Sequence, residues 1–170
     1  MTADDIIKHY NMQPLPEEGG YYVETYRADE NIHHSALPER YDGHRDHSTS
    51  ILYLITPDSF SKMHSVKSDE IFHFYLGDPV EMLKLNPDGT SEVIVMSPDI
   101  KAHHHQQVAV KNGIWQGTKL VEGGKYALLG CTVSPGFEFT DFETGTRQEL
   151  IKSHPDQKKL ITELTQPTHQ

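Results

Sequence analysis

Apolar and polar residues alternate with a period of two along much of the chain, in short runs punctuated by glycine, proline, asparagine and aspartate. In the run ending at Gly77, Glu70, Phe72 and Phe74 share one phase, so a strand there turns all three to the same interior. The run before it carries His64 and Val66 in step, and Lys67, Ser68 and Asp69 spell a tight turn between the two. Such a hairpin brings an imidazole beside a carboxylate. Runs of the same character predict strands near residues 21–27, 49–55, 60–64, 70–76, 80–85 and 92–95, and again near 107–110, 114–118, 126–133 and 137–139. Asn86-Pro87-Asp88-Gly89 marks a turn. Many short strands at regular spacing predict a sandwich or barrel rather than alternating β and α units.

Only the two ends read as helix. Thr2 is positioned as an N-cap, Asp4 and Asp5 sit at the positive helix end, and Ile6, Ile7 and Tyr10 share a face, which predicts a helix over residues 3–11. Leu150 and Ile151 before Pro155, and Leu160, Ile161 and Leu164 after it, predict two short helical segments within about 146–165. The 170 residues suit one domain, with a barrel core over about residues 20–140.

Charge and composition narrow the function classes. A formal net charge of −10, with Lys and Arg scattered, opposes a phosphate backbone and argues against nucleic acid as a partner. No apolar run approaches membrane-spanning length, so no membrane partner is expected. Cys131 is the only cysteine and no basic, apolar leader opens the chain, so the expected location is cytoplasmic.

The His64, Glu70 and Gly77 spacing resembles the first signature of the cupin superfamily. Val66 stands at that signature's second histidine and Asp58 at its opening glycine. The second signature maps to residues 111–116, keeping Gly113 but placing Lys111 for proline and Gln116 for histidine. Residues 18–27, 48–55, 69–77, Trp115-Gln116 and 130–137 together resemble one branch, the cupins of domain of unknown function 985, nearly end to end. That resemblance implies a mainly all-β fold, a cupin-type double-stranded β-helix or jelly roll. It also implies a small-molecule pocket and, often, a homodimer.

His64 is the leading candidate, because a neutral imidazole in a dry pocket accepts a proton near neutral pH. Glu70 is its natural partner, since a carboxylate beside Phe72 and Phe74 needs compensation. His64 also matches the catalytic base of the metal-free dTDP-sugar epimerases, which this site resembles, although those enzymes carry lysine where Glu70 stands and use a tyrosine as acid. Tyr53 is the nominated acid, with Tyr21, Tyr26 and Tyr75 as rivals. Gln116, Phe72, Phe74, Tyr26 and Phe137 are expected to bind the ligand, with Gln116 preferred over Trp115 because neighbours on a strand face opposite sides. No cofactor is expected. His64, Glu70 and Gln116 are the fallback set for a divalent Fe, Mn or Zn ion, fewer strong donors than such ions usually take. The pairs His33-His34 and His44/His47 and the run His103-His104-His105 read as solvated loop residues. Three functions follow: a metal-independent epimerase or isomerase for a sugar-like or carbonyl compound, a non-catalytic ligand-binding protein, and a metal-dependent oxygenase or lyase with an altered ligand set.

Overall fold

In the computed structural model, residues 1–166 are described, and the chain folds as two antiparallel sheets with helices on both outer faces. In chain order the elements are α1 (Ala3–Tyr10), β1 (Gln13–Pro14), β2 (Tyr21–Arg27), β3 (Asn31–Ile32), β4 (Arg45–Asp46), β5 (Thr49–Ile55), β6 (Ser61–Val66) and β7 (Asp69–Gly77). There follow β8 (Val80–Leu85), β9 (Ser91–Met96), β10 (Gln107–Val110), β11 (Trp115–Leu120), β12 (Ala127–Ser134), β13 (Phe142–Thr144), α2 (Arg147–Ser153) and α3 (Lys158–Glu163). One sheet runs β1-β2-β5-β12-β7-β10 and the other β13-β6-β11-β8-β9. The short pair β3–β4 stands apart. The fold is mainly β, a two-sheet sandwich as the alternation predicts, with the short terminal helices that the spacing at both ends predicts.

The main core lies between the sheets, where Tyr53, Phe72, Phe74, Met82, Leu129 and Cys131 pack together. Each outer face has its own apolar layer. Ile6 and Met12 at the amino end cover Leu54 and Leu128 on the first sheet. Leu150, Ile161 and Leu164 cover Met63, Leu83 and Leu85 on the second, each burial contributing about 2 kcal/mol. Thr2 caps α1 through the Asp5 amide while Asp5 accepts from the Thr2 amide, and Asn11 ends the helix in left-handed conformation. No helix among the described residues is long and apolar enough to cross a membrane.

One predicted strand is displaced. Residues 137–139 do not join a sheet; the chain makes a short 3-10 turn at Phe139–Asp141 and pairs only afterwards, as β13 against β6. The early segment instead closes over the end of the sandwich, where the Phe137 amide donates to Thr49 Oγ1 at 3.0 Å.

Candidate functional site

The predicted turn forms but the hairpin does not: β6 and β7 are joined by two residues and pass into opposite sheets, β6 pairing with β11 and β13 and β7 with β10 and β12. His64 and Glu70 therefore approach across the interior rather than along one ladder, with His64 Nε2 at 3.8 Å from Glu70 Oε1. His64 Nδ1 donates to the Lys62 carbonyl at 2.7 Å, which leaves Nε2 as the nitrogen facing the interior. The ring also stacks on Phe142 of β13, centroids 5.0 Å apart. Gln116 sits opposite His64 in the β6–β11 pairing, and its Nε2 lies 3.1 Å from both His64 Nε2 and Glu70 Oε1. Trp115, one residue before, faces the outer layer beneath the carboxyl-terminal helices.

A cavity of about 300 Å³ opens beside this group. Its inner wall includes Glu18, Tyr53, Glu70 and Cys131, with Leu15, Ile51, Phe72, Val133 and Phe137 supplying apolar surface. Tyr22, Glu24, Arg27, Glu138 and Phe139 also line it, and Thr49 completes the ring. His64 and Gln116 lie one layer behind, 1% and 0% exposed, joined to the cavity through Glu70. Phe74 shares the inward phase of Phe72 but packs into the core away from the cavity wall.

Tyr26 departs from the expected placement. The pairing of β2 with β5 skips a residue between Glu24 and Tyr26, a bulge that reverses the alternation and turns Arg27 inward and Tyr26 outward, 56% exposed. Of the other tyrosines, Tyr21 packs beneath α1 and Tyr75 is exposed against His73. Tyr53 does reach the cavity, but its hydroxyl donates to the Gly19 carbonyl at 2.7 Å. Burial, reinforced by the Glu18 charge, pushes the Tyr53 phenol well above its ordinary value.

Glu18 is a residue that alternation does not reveal. It sits in a turn where Glu17, Gly19 and Gly20 all have positive φ, and its carbonyl accepts from the Lys62 amide at 2.9 Å. Its Oε1 accepts from Ser61 Oγ at 2.7 Å and lies 4.0 Å from His64 Nε2. The sequence signal is the glycine pair behind it, which permits the left-handed backbone that brings the turn against Tyr53; a Cβ on Gly20 would lie 2.6 Å from the Tyr53 hydroxyl oxygen.

Three groups are perturbed here. Burial opposes charge on His64, but Glu18, Glu70 and the Lys62 carbonyl together raise its pKa above the ordinary 6.5. Burial raises Glu70 above its ordinary 4.5, outweighing the imidazole and the Gln116 and Cys131 donors. Burial, with the charges of Glu70 and Glu18, pushes the Cys131 thiol well up, so it stays an S–H that leans on Glu70 Oε2 at 3.6 Å rather than a nucleophile. Gln116 Oε1 is buried without a hydrogen-bond partner among the described residues. The amide as oriented suits a neutral His64 and an ionised Glu70. The reverse orientation would turn a carbonyl toward both, and so suits an imidazolium with a protonated Glu70.

The same amide decides how well the site fits the metal that cupin motifs elsewhere hold. Val66 and Gln116 stand in place of two imidazoles, and a carboxamide is at most a weak donor whichever way it is turned. Among the described residues, no three His, Cys, Asp or Glu side chains are arranged to hold a metal ion. The donor set does not fit a tightly held transition metal. The histidines expected in loops lie outside this group: His103 and His105 are exposed, His104 bonds Ser97 Oγ, His33 bonds Ser35, His34 bonds the Tyr41 carbonyl, and His44 and His47 face solvent.

Comparison with known proteins agrees with this architecture. The model of the Cupin_5 family, described as cupin superfamily (DUF985), matches residues 4–145. The uncharacterized protein YML079W of Saccharomyces cerevisiae is 28% identical over 165 residues, covering 92% of this chain and 75% of that protein. Protein SO0799 from Shewanella oneidensis superposes with a TM-score of 0.86 at 29% identity, covering 98% of this chain and 99% of that one. A hypothetical protein from Leishmania major gives 0.85 at 26% identity, with 98% and 100% covered. Oxalate decarboxylase from Bacillus subtilis shares the fold alone, with a TM-score of 0.55 at 14% identity over 93% of this chain and 38% of that one.

Proposed function

For a chain that belongs to the DUF985 family of the cupin superfamily, we propose that the cavity binds a small carbonyl compound and moves a proton on it without a metal, as an isomerase or epimerase does. The observation that carries this reading is one imidazole shared by two carboxylates that both line the cavity, with His64 Nε2 3.8 Å from Glu70 Oε1 and 4.0 Å from Glu18 Oε1. Proton transfer next to a carbonyl needs a base at one position and an acid at another. Glu70, raised by burial, is the base: its carboxylate takes the carbon-bound proton and the electron pair passes into the enolate. His64 lies between the carboxylates and relays the proton to Glu18, which returns it to the substrate. Tyr53 is a positioning residue in this scheme, because its proton is engaged by Gly19 and its burial disfavours release.

The test is deuterium incorporation from solvent into a panel of small aldehydes and ketones, followed by proton NMR. The wild type is expected to label the carbon beside the carbonyl, and Glu70→Gln to slow labelling about a hundredfold. Equal labelling by the two proteins would remove Glu70 from the mechanism. A second reading, a non-catalytic binding protein, is favoured by the engaged hydroxyl of Tyr53. Ligands that bind and are recovered without deuterium select it.

A further inference from the structure

On the reading that this cavity is the ligand site, we infer that the small carbonyl compound it takes also carries an amino group, held as ammonium on Glu18 beside Glu70 with its carbon body against the aromatic wall. Two independent features of the cavity lead there. The first is the state of its cation. Four carboxylates, those of Glu18, Glu24, Glu70 and Glu138, line the cavity against the single guanidinium of Arg27. A guanidinium has five N–H donors, and all five of Arg27 are already used. Its Nε and Nη2 grip Glu24 at 3.0 and 2.9 Å, Nη1 reaches Asp46 at 2.8 Å and Glu138 at 3.3 Å, and Nη2 also reaches the Phe137 carbonyl at 3.2 Å. A carboxylate or phosphate entering here finds no free donor on the only cation of the wall and meets the carboxylates beside it. Anionic ligands are disfavoured twice, by repulsion and by the missing anchor.

The second feature is the graded burial of the acids. Glu24 and Glu138, at the rim, have side chains 40% and 48% exposed and are occupied by Arg27. Glu18 and Glu70, at the floor, are 14% and 9% exposed. With the Gln116 amide donating to a neutral His64 and an ionised Glu70, the floor holds uncompensated negative charge in a weakly screened place, which an ammonium offsets. Glu18 Oε2 has no hydrogen-bond partner among the described residues and is free to accept an ammonium proton. Above the floor, Phe72 and Phe137 offer aromatic surface to the cation's carbon body, and Phe139 meets Phe137 edge to face at 5.1 Å. Neutral ligands rich in O–H donors would satisfy the acceptors but would not cancel the charge. The amine therefore ranks first, the alcohol second and the acid last.

Calorimetric titration of tag-free protein at neutral pH with phenethylamine, phenethyl alcohol and phenylacetate tests this ranking, because the three differ chiefly in head group. The amine is expected to bind at least about tenfold more tightly than either of the others. Glu18→Gln is expected to abolish that advantage, the amine's affinity falling to that of the alcohol. Phenylacetate binding as tightly as the amine, or three indistinguishable affinities, or no amine binding below about 10 mM, would overturn the inference. Should Glu18→Gln fail to fold, the wild-type ranking decides by itself. Heat of binding is read without turnover, so the amine preference and the deuterium exchange proposed above can fail separately.

Discussion

Glu70 keeps an ionisable oxygen where water barely reaches it, and the sign of the consequence is fixed. Its folded pKa is raised above the ordinary 4.5, so its contribution to stability is full below that value and is lost as pH rises through the folded pKa. His64, raised above 6.5, acts in the same sense, losing its contribution as pH climbs through its own folded pKa. Glu70→Gln removes the first term and shrinks the second. The melting temperature of Glu70→Gln relative to wild type is expected to rise from acid to neutral pH; a constant or falling difference would show that burial does not raise the Glu70 pKa. The pairing of His64 with Glu70 was legible in the sequence because both fall on strands whose phase is set by Phe72, Phe74 and Val66. Glu18 was not, since it lies in a turn whose path depends on three residues with positive φ and on contacts from Tyr53, Ser61 and Lys62.

Strands carry the alternation faithfully only where their ladders are regular. In β7 the inward set from Glu70 to Phe74 is as the period requires, and in β11 Trp115 and Gln116 divide between outer layer and interior. In β2 one skipped residue exchanges Tyr26 for Arg27, a change that no pattern of apolar residues announces. The segment at residues 137–139 reads as a strand from its two phenylalanines, yet these serve the cavity and its rim rather than a ladder. The β6–β11 ladder also shifts register, between Gln116 and Thr118, and Gly117 sits at the irregularity. A Cβ there would lie 2.8 Å from Met63 Sδ and 3.1 Å from the Ser61 carbonyl oxygen. Gly117→Ala is expected to cost about 1–3 kcal/mol, read from the urea midpoint, because the strand behind His64 is fully packed. An unchanged midpoint would mean that β6 gives way freely and does not hold His64 in place.

At the scale of the whole molecule, two sheets with helices on both outer faces leave one sheltered interior, and the chemistry-bearing groups come from both walls of it. His64 and Gln116 belong to one sheet, Glu70, Tyr53 and Cys131 to the other, and Glu18 to a turn tied to both by Tyr53 and Lys62. The fold was legible in the chain because short alternating runs leave few architectures, and the ends because their apolar residues recur at helical spacing. The charge balance of the cavity was not, because it is assembled from residues as far apart as Glu18 and Glu138. The most direct test of the account is the nitrogen NMR titration of His64 in histidine-labelled protein, compared with Glu18→Gln and Glu70→Gln. The account predicts a midpoint above 6.5 in the wild type that falls in both variants, each having lost one of the two carboxylates. A His64 that titrates at or below its ordinary value, or is indifferent to both substitutions, would contradict it.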